Sequence, residues 1–173
     1  MLKKILIEPD PILRQKCEPL EKIDSNTKKL MDDMLETMYA APGIGLAAIQ
    51  IGIDKRVIVM DISKNSEKKL PLYLVNPEII STSRNDSTYE EGCLSVPGQF
   101  AEINRPERCH VKYLDYNGNQ KEIKAEGLLA TCIQHEMDHL EGVLFIDYLS
   151  KLKKTMIVKK LSKQKKSLER IVV

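Results

Sequence analysis

The segment Gln134-His135-Glu136-Met137-Asp138-His139-Leu140 sets two imidazoles four residues apart, with a carboxylate directly after the first. On a helix, positions i and i+4 share one face. His135 and His139 can therefore meet a single metal ion while Glu136 reaches a water held beside it, which is what a hydrolytic metal site requires. The competing reading is an exposed helix in which two histidines happen to fall four apart. Against it, Ile133 and Leu140 flank the pair and Cys132 precedes it, so the segment reads as a core helix in which buried histidines need a partner.

A helix of this kind supplies two ligands, and a third must come from elsewhere. No histidine follows His139, which disfavours the extended zinc-protease motif with a third downstream His. A thermolysin-like enzyme takes a downstream Glu, but Glu141 is too close and Glu169 lies in a lysine-rich tail. Upstream, Cys93 in Tyr89-Glu90-Glu91-Gly92-Cys93-Leu94-Ser95-Val96-Pro97 is the best candidate, since the adjoining Gly92 lets the backbone approach closely. Taken alone, Cys93 reads better as a small buried apolar residue.

The elements that must carry these residues follow from patterning. Asp10-Pro11 offers a cap and a first-turn proline for a short helical turn over 12–16. Leu30, Met34, Leu35 and Met38 repeat at helical spacing and predict a helix over 26–40, ended by Pro42-Gly43. β signals dominate from there to about residue 126, with runs over 56–62, 72–80 (interrupted by Asn76-Pro77), 109–116 and 120–124. Asn117-Gly118 joins the last two runs as a hairpin, because both residues tolerate positive φ. The polar stretch 64–69 reads as a surface loop. Helical periodicity returns over 127–140, with Gly142 placed to end that helix, and Ser150 can cap a C-terminal helix. Strands in the middle with helices before and after predict an α+β fold, largely antiparallel, around the central helix that bears His135 and His139.

The chain of 173 residues is the size of one domain, with residues 1–150 as the catalytic part and 151–173 as a C-terminal helix of the same domain. Its 42% hydrophobic and 30% charged residues exclude a wholly disordered chain and a membrane bundle. The first apolar run stops after three residues at Glu8, too short for a secretory core. No stretch approaches the roughly 18 apolar residues of a membrane span, so a cytoplasmic location is expected. In that compartment Cys17, Cys93, Cys109 and Cys132 are reduced thiols.

Three blocks, Gly43-Ile44-Gly45-Leu46-Ala47-Ala48-Ile49-Gln50, Glu91-Gly92-Cys93-Leu94-Ser95 and Gln134-His135-Glu136-Met137-Asp138-His139-Leu140-Glu141-Gly142, resemble the three signature motifs of the peptide deformylases, in that family's order. The similarity extends over nearly the whole chain, including the C-terminal helix of the bacterial type. It implies removal of the formyl group from N-formylmethionine at the start of nascent polypeptides, with release of formate. Residues alone lead only as far as a metallohydrolase.

Carried over by position, the resemblance makes Cys93, His135 and His139 the metal ligands and leaves a fourth position open for water. Glu136 becomes the acid-base group, and the Gln50 side-chain amide and the Leu94 N–H become the oxyanion donors. Ile44, Gly45 and Leu46, with Glu91 and Gly92, become the peptide-holding cleft. Tyr89, Leu128, Thr131 and Cys132 become the methionine pocket, and 128, 131, 132 and 135 do share one helical stripe. Without the family, Leu128 and Cys132 would be plain core and Gln50 an ordinary polar residue at a strand end. Asp138 resembles a position that pairs with an arginine, here Arg105, and His110 is structural. Phe100 stands where many relatives carry a basic residue, which leaves open the preference for residues beyond methionine.

The ligands alone suit Zn²⁺, whereas the resemblance implies one Fe²⁺ per chain, with zinc, nickel or cobalt as substitutes in isolated protein. Two other readings compete: a zinc peptidase sharing the two-histidine helix, and a binding module stabilised by a structural metal.

Charge is unevenly spread. The net charge is +2, yet residues 151–173 hold nine basic groups and one acid, leaving −6 on the first 150. One reading is a solvated helix whose buried face is Leu152, Met156, Ile157 and Leu161. That reading does not account for the one-sided charge. A basic helix on an acidic body suits a polyanion, and the resemblance implies docking on the ribosome rather than on membrane or specific DNA, by a monomer.

Overall fold

The computed structural model describes residues 1–63 and 67–171, with side chains described as far as residue 167. The expected loop over 64–69 thus lies partly outside the described residues, while residues 67–70 are exposed.

A short 3₁₀ turn, Pro11–Arg14, opens the chain, with the Asp10 side chain accepting from Ile12 N at 3.0 Å. Helix α1 (Ser25–Ala40) is capped by Asp24, whose carboxylate accepts from Thr27 N at 2.9 Å. Met31, Met34 and Met38 are fully buried on its inner face, while Leu30 and Leu35 only flank it. Strands β1 (Gly45–Ala47), β2 (Val57–Met60) and β3 (Leu72–Thr82) follow, then β4 (Asp86–Cys93) and β5 (Val96–Pro106), and then β6 (Arg108–Leu114) and β7 (Gln120–Glu126). Helix α2 (Gly127–Leu140) carries the two histidines, and helix α3 (Lys151–Ile171) completes the order.

Among the described residues two sheets form, both antiparallel: β1-β2-β3-β6-β7, and a separate hairpin of β4 and β5. Asn76-Pro77 does not end β3. Asn76 takes φ 48°, the register shifts there, and its side chain bonds Leu20 N (2.8 Å) and Leu20 O (2.7 Å). The strand thus bulges around Pro77, which has no N–H to donate to the ladder. The turn at Asn117-Gly118 spans residues 115–119, and only Gly118 takes positive φ there. Asp115 supplies the closure instead, accepting from Asn117 N and Asn119 N at 3.0 and 2.9 Å. Sequence patterning passed over β4 and β5, because β4 reads Asp-Ser-Thr-Tyr-Glu-Glu-Gly-Cys and offers almost no apolar alternation.

Helix α2 runs through the middle, and residues 130–137 are buried throughout. One side packs with Ile58, Leu74 and Val111 of the large sheet, and at its end Gly142 takes φ 74°. A Cβ on Gly142 would lie 2.3 Å from the Arg14 carbonyl oxygen, so both backbone shape and space demand glycine. Cys17 N donates to Leu140 O at 2.8 Å, which ties the same end to the chain's first segment.

Ser150 caps α3, accepting from Lys153 N at 3.3 Å. The expected buried face of α3 needs correction. Ile157, Val158 and Leu161 pack against Val96, Ile103, Leu144, Phe145 and Ile146, but Leu152 and Met156 are 71% and 63% exposed. At 3.6 residues per turn these two fall nearly opposite the 157–158–161 stripe. Lys154, on the packed side, pairs with Asp147 at 2.7 Å.

Candidate active site

Because α2 is continuous from residue 127 to 140, His135 and His139 stand side by side, with ring centroids 5.1 Å apart. The third group comes from the other sheet. A register shift between Glu91 and Cys93 turns the end of β4 toward α2 and brings Cys93 Sγ to 3.4 Å from His139 Nε2. One donor atom from each of Cys93, His135 and His139 lies within 4.8 Å of the others, the one such group among the described residues. One thiolate and two imidazoles form a donor set that fits a divalent transition metal.

Neighbouring groups fix the ligands. His135 Nδ1 donates to Glu91 Oε1 at 2.8 Å, leaving Nε2 as the nitrogen free to ligate. Glu91 also accepts from Arg105 Nε (2.7 Å) and Nη2 (3.0 Å), and Arg105 Nη1 donates to Asp138 at 2.8 Å. The expected Asp138–Arg105 pair is present, and Tyr148 donates to the same carboxylate at 2.7 Å. Burial opposes a charge on His135, but the Cys93 sulfur and the Glu91 carboxylate outweigh it and raise its pKa to about 10. Loading a cation therefore releases a proton. Burial, followed by the charge on His135, holds His139 well below its ordinary value, in the neutral form that ligation requires.

Glu136 is buried beside these groups, its Oε2 has no hydrogen-bond partner, and burial raises its pKa to about 7. A carboxyl poised there can take and return a proton near neutrality. Its other oxygen lies against the backbone of Gly45, where a Cβ would come within 2.5 Å of Oε1. Gln50 sits in the 3₁₀ turn Ala48–Ile51 rather than at a strand end. It is pinned by accepting from Ala47 N (2.9 Å) and donating to Ser95 Oγ (3.0 Å), which leaves its Nε2 3.6 Å from Cys93 Sγ.

A cleft of about 460 Å³ opens above these groups. Ile44, Gly45, Gln50, Tyr89, Gly92, Cys93, Leu94, Leu128, Thr131, Cys132, His135 and Glu136 all line it. Two expected residues stand differently. Leu46 is fully buried beneath α1 with Met34 and Met38, so its side chain belongs to the core and not to the cleft. Glu91 borders the cleft, but its carboxylate is committed to His135 and Arg105. His110 pairs with Glu122 at 3.0 Å across β6 and β7. All four cysteines are free thiols. Sequence reading placed Ser95 in the second motif block without giving it a role, and missed the Glu91–Arg105 pair, which joins two strands that patterning did not detect. Phe100, 64% exposed, forms part of the cleft wall over Gly92.

Comparison with known proteins identifies the family. Residues 2–155 match the family model described as polypeptide deformylase. A peptide deformylase of Pelagibacter ubique is 66% identical over 99% of both chains, and one of Phenylobacterium zucineum is 59% identical over 96% of this chain and 98% of its own. Among solved structures, a peptide deformylase from Ehrlichia chaffeensis aligns with TM-score 0.90 at 44% identity, covering 95% of this chain and 97% of its own. Another from Legionella pneumophila aligns with TM-score 0.90 at 46% identity over 98% and 99%. With its fold matched at TM-score 0.90, residues 2–155 matched by the family model and 99% of its length covered by a relative 66% identical, the chain belongs to the peptide deformylase family.

Proposed function

We propose that the chain is a metal-dependent hydrolase that removes the formyl group from formylmethionine at the start of nascent polypeptides, releasing formate. The observation that carries this reading is the meeting of Cys93, His135 and His139 in one group, with Cys93, His135 and the neighbouring Glu136 lining the cleft. Cys93, His135 and His139 would hold one divalent ion, which when bound supplies Lewis acidity and acidifies a water. Fe²⁺ is the expected ion, and Zn²⁺, Ni²⁺ or Co²⁺ replaces it in isolated protein, because a thiolate beside ferrous iron is prone to oxidation.

Glu136 accepts the proton of the attacking water as its oxygen bonds to the formyl carbon, and passes that proton to the leaving amine as the C–N bond breaks. The Gln50 Nε2 and the Leu94 N–H donate to the developing oxyanion; the two contacts that pin Gln50 make this donor preorganised. Ile44, Gly45 and Gly92 hold the peptide backbone, and Tyr89, Leu128, Thr131 and Cys132 enclose the methionine side chain. Formate measured from a formyl-Met tripeptide, with metal analysis on the same anaerobic preparation, tests the reading. No release with a full site overturns it.

The finer setting is cytoplasmic, on ribosomes, as a monomer; no helix among the described residues is long and apolar enough to cross a membrane. Supporting ribosome docking, Lys159, Lys163 and Lys166 are exposed at helical spacing on the same outward face of α3 as Leu152 and Met156.

A further inference from the structure

Thr131 lines the cleft one helical turn before His135, is 4% exposed, and its Oγ1 has no hydrogen-bond partner. Threonine hydroxyls in helices ordinarily return to the carbonyl four residues back. Thr37 does so with Asp33 O at 2.7 Å and Thr155 with Lys151 O at 2.8 Å, but Thr131 does not. An unpaired buried hydroxyl is costly, and the cost is relieved by any ligand that brings an acceptor to it. Around it the stripe is apolar: Leu128 lies one turn back, and burial keeps the Cys132 thiol protonated. Tyr89 brings a second hydroxyl over the first turn of α2, 3.6 Å from where a Cβ on Gly127 would sit.

An apolar side chain buried in this pocket leaves Thr131 unpaired, whereas a thioether offers a sulfur acceptor, weak but present. We propose that the Thr131 hydroxyl is a specificity-determining donor that reads the thioether sulfur of the substrate's first residue, selecting methionine over an unbranched hydrocarbon chain of the same length. This rests on the deformylase reading. It predicts a preference opposite to that of a purely apolar pocket, which favours the more hydrophobic hydrocarbon chain.

The test compares formyl-Met-Ala-Ser with formyl-norleucine-Ala-Ser, which differ by sulfur against methylene, on the metal-loaded enzyme. The parent enzyme is expected to favour methionine by about threefold to tenfold in kcat/KM, the range of one modest hydrogen bond. The preference should lie mainly in KM, since the sulfur is bound equally before and during the reaction. Thr131→Val keeps the shape, removes the hydroxyl and should bring the ratio to one or below, and Thr131→Ser should restore it. If Thr131→Val fails to fold, Thr131→Ala makes the same comparison. A parent ratio of one, as when a bound water satisfies the hydroxyl, or a ratio unchanged in the hydroxyl-free variant overturns the proposal. Absence of formate from either peptide with a full metal site overturns the deformylase reading, and this one with it.

Discussion

His135 donates from Nδ1 to Glu91 at 2.8 Å, so a carboxylate on one strand decides which nitrogen of a helix residue faces Cys93. Removing that acceptor frees the ring to rotate and lowers its basicity. Glu91→Ala is expected to weaken metal affinity by about 10- to 100-fold, measured by competition with a chromogenic chelator. It should also destabilise the fold by about 1–3 kcal/mol, because buried Arg105 loses both hydrogen bonds to Glu91 and keeps only its pairing with Asp138. Unchanged affinity would remove Glu91 from its orienting role.

Glu136 contributes no atom to the Cys-His-His group. Glu136→Ala should therefore keep its metal and lose at least about 100-fold in kcat, as expected for a positioned acid-base group. Metal content and formate release on one sample check both halves.

Gly45 touches the same carboxylate from the other side. The three atoms nearest its added Cβ all belong to the Glu136 side chain, Oε1 first at 2.5 Å, so Gly45→Ala should fold while displacing the carboxylate. A shift near 1 Å at a reacting group costs up to about 100-fold. The expected result is reduced kcat with an unchanged melting temperature; a fall in stability alone would refute it.

Asp147 accepts from Arg14 at 2.6 Å and Leu144 N at 3.1 Å and pairs with Lys154 at 2.7 Å, joining the chain's first turn to α3. Burial would raise its pKa, but Lys154 and Arg14 outweigh burial and lower it below 3.8. The contribution of Asp147 is therefore fully present above about 3.8 and is lost as pH falls through the lower folded-state value. Asp147→Asn should be less stable than the parent at pH 7, and the gap should narrow below pH 3.8. Urea unfolding at both pH values measures it, and a gap that widens in acid contradicts the assignment.

The outward face of α3 offers a test that spares the core. Truncation after Ser150 would remove buried Leu161, whereas Lys159, Lys163 and Lys166 are exposed. Replacing these three with Gln should weaken ribosome binding and flatten its salt dependence, by about 0.7–0.9 in log–log slope per lost phosphate contact. An unchanged slope excludes this face as the docking element.

Much of the molecule was legible in advance, for physical reasons that differ by element. Helices α1 and α2 followed from apolar residues at helical spacing, ended by Pro42-Gly43 and by Gly142, signals that act within a few residues. The two histidines were legible because helical spacing alone puts them on one face. Strand β4 was not, since its inner face is made of Ser87, Tyr89 and Glu91, and β5, with Arg105 beside Ile103 on its own buried face, went undetected with it. The role of Ser95 was hidden too, as it matters only once Gln50, 45 residues away, folds against it. Leu46 was misplaced because a motif gives the order of residues but not the direction of a side chain on a strand. The buried face of α3 was drawn too wide, since an apolar residue such as Leu152 does not itself say which side of a helix meets the core.

The large sheet and the β4–β5 hairpin share no strand, and the ligands are divided between their two sides: Cys93 ends the hairpin, while both histidines belong to α2. An ion bound there is also a rivet between two separately built halves, working in parallel with the Arg105 bridge to Glu91 and Asp138. Its loss would be felt unequally. Helix α2 remains gripped at Leu140 and Gly142 by the chain's first segment, but the hairpin would lose one of its fastenings, and the cleft wall formed by Gly92, Leu94 and Phe100 would loosen with it.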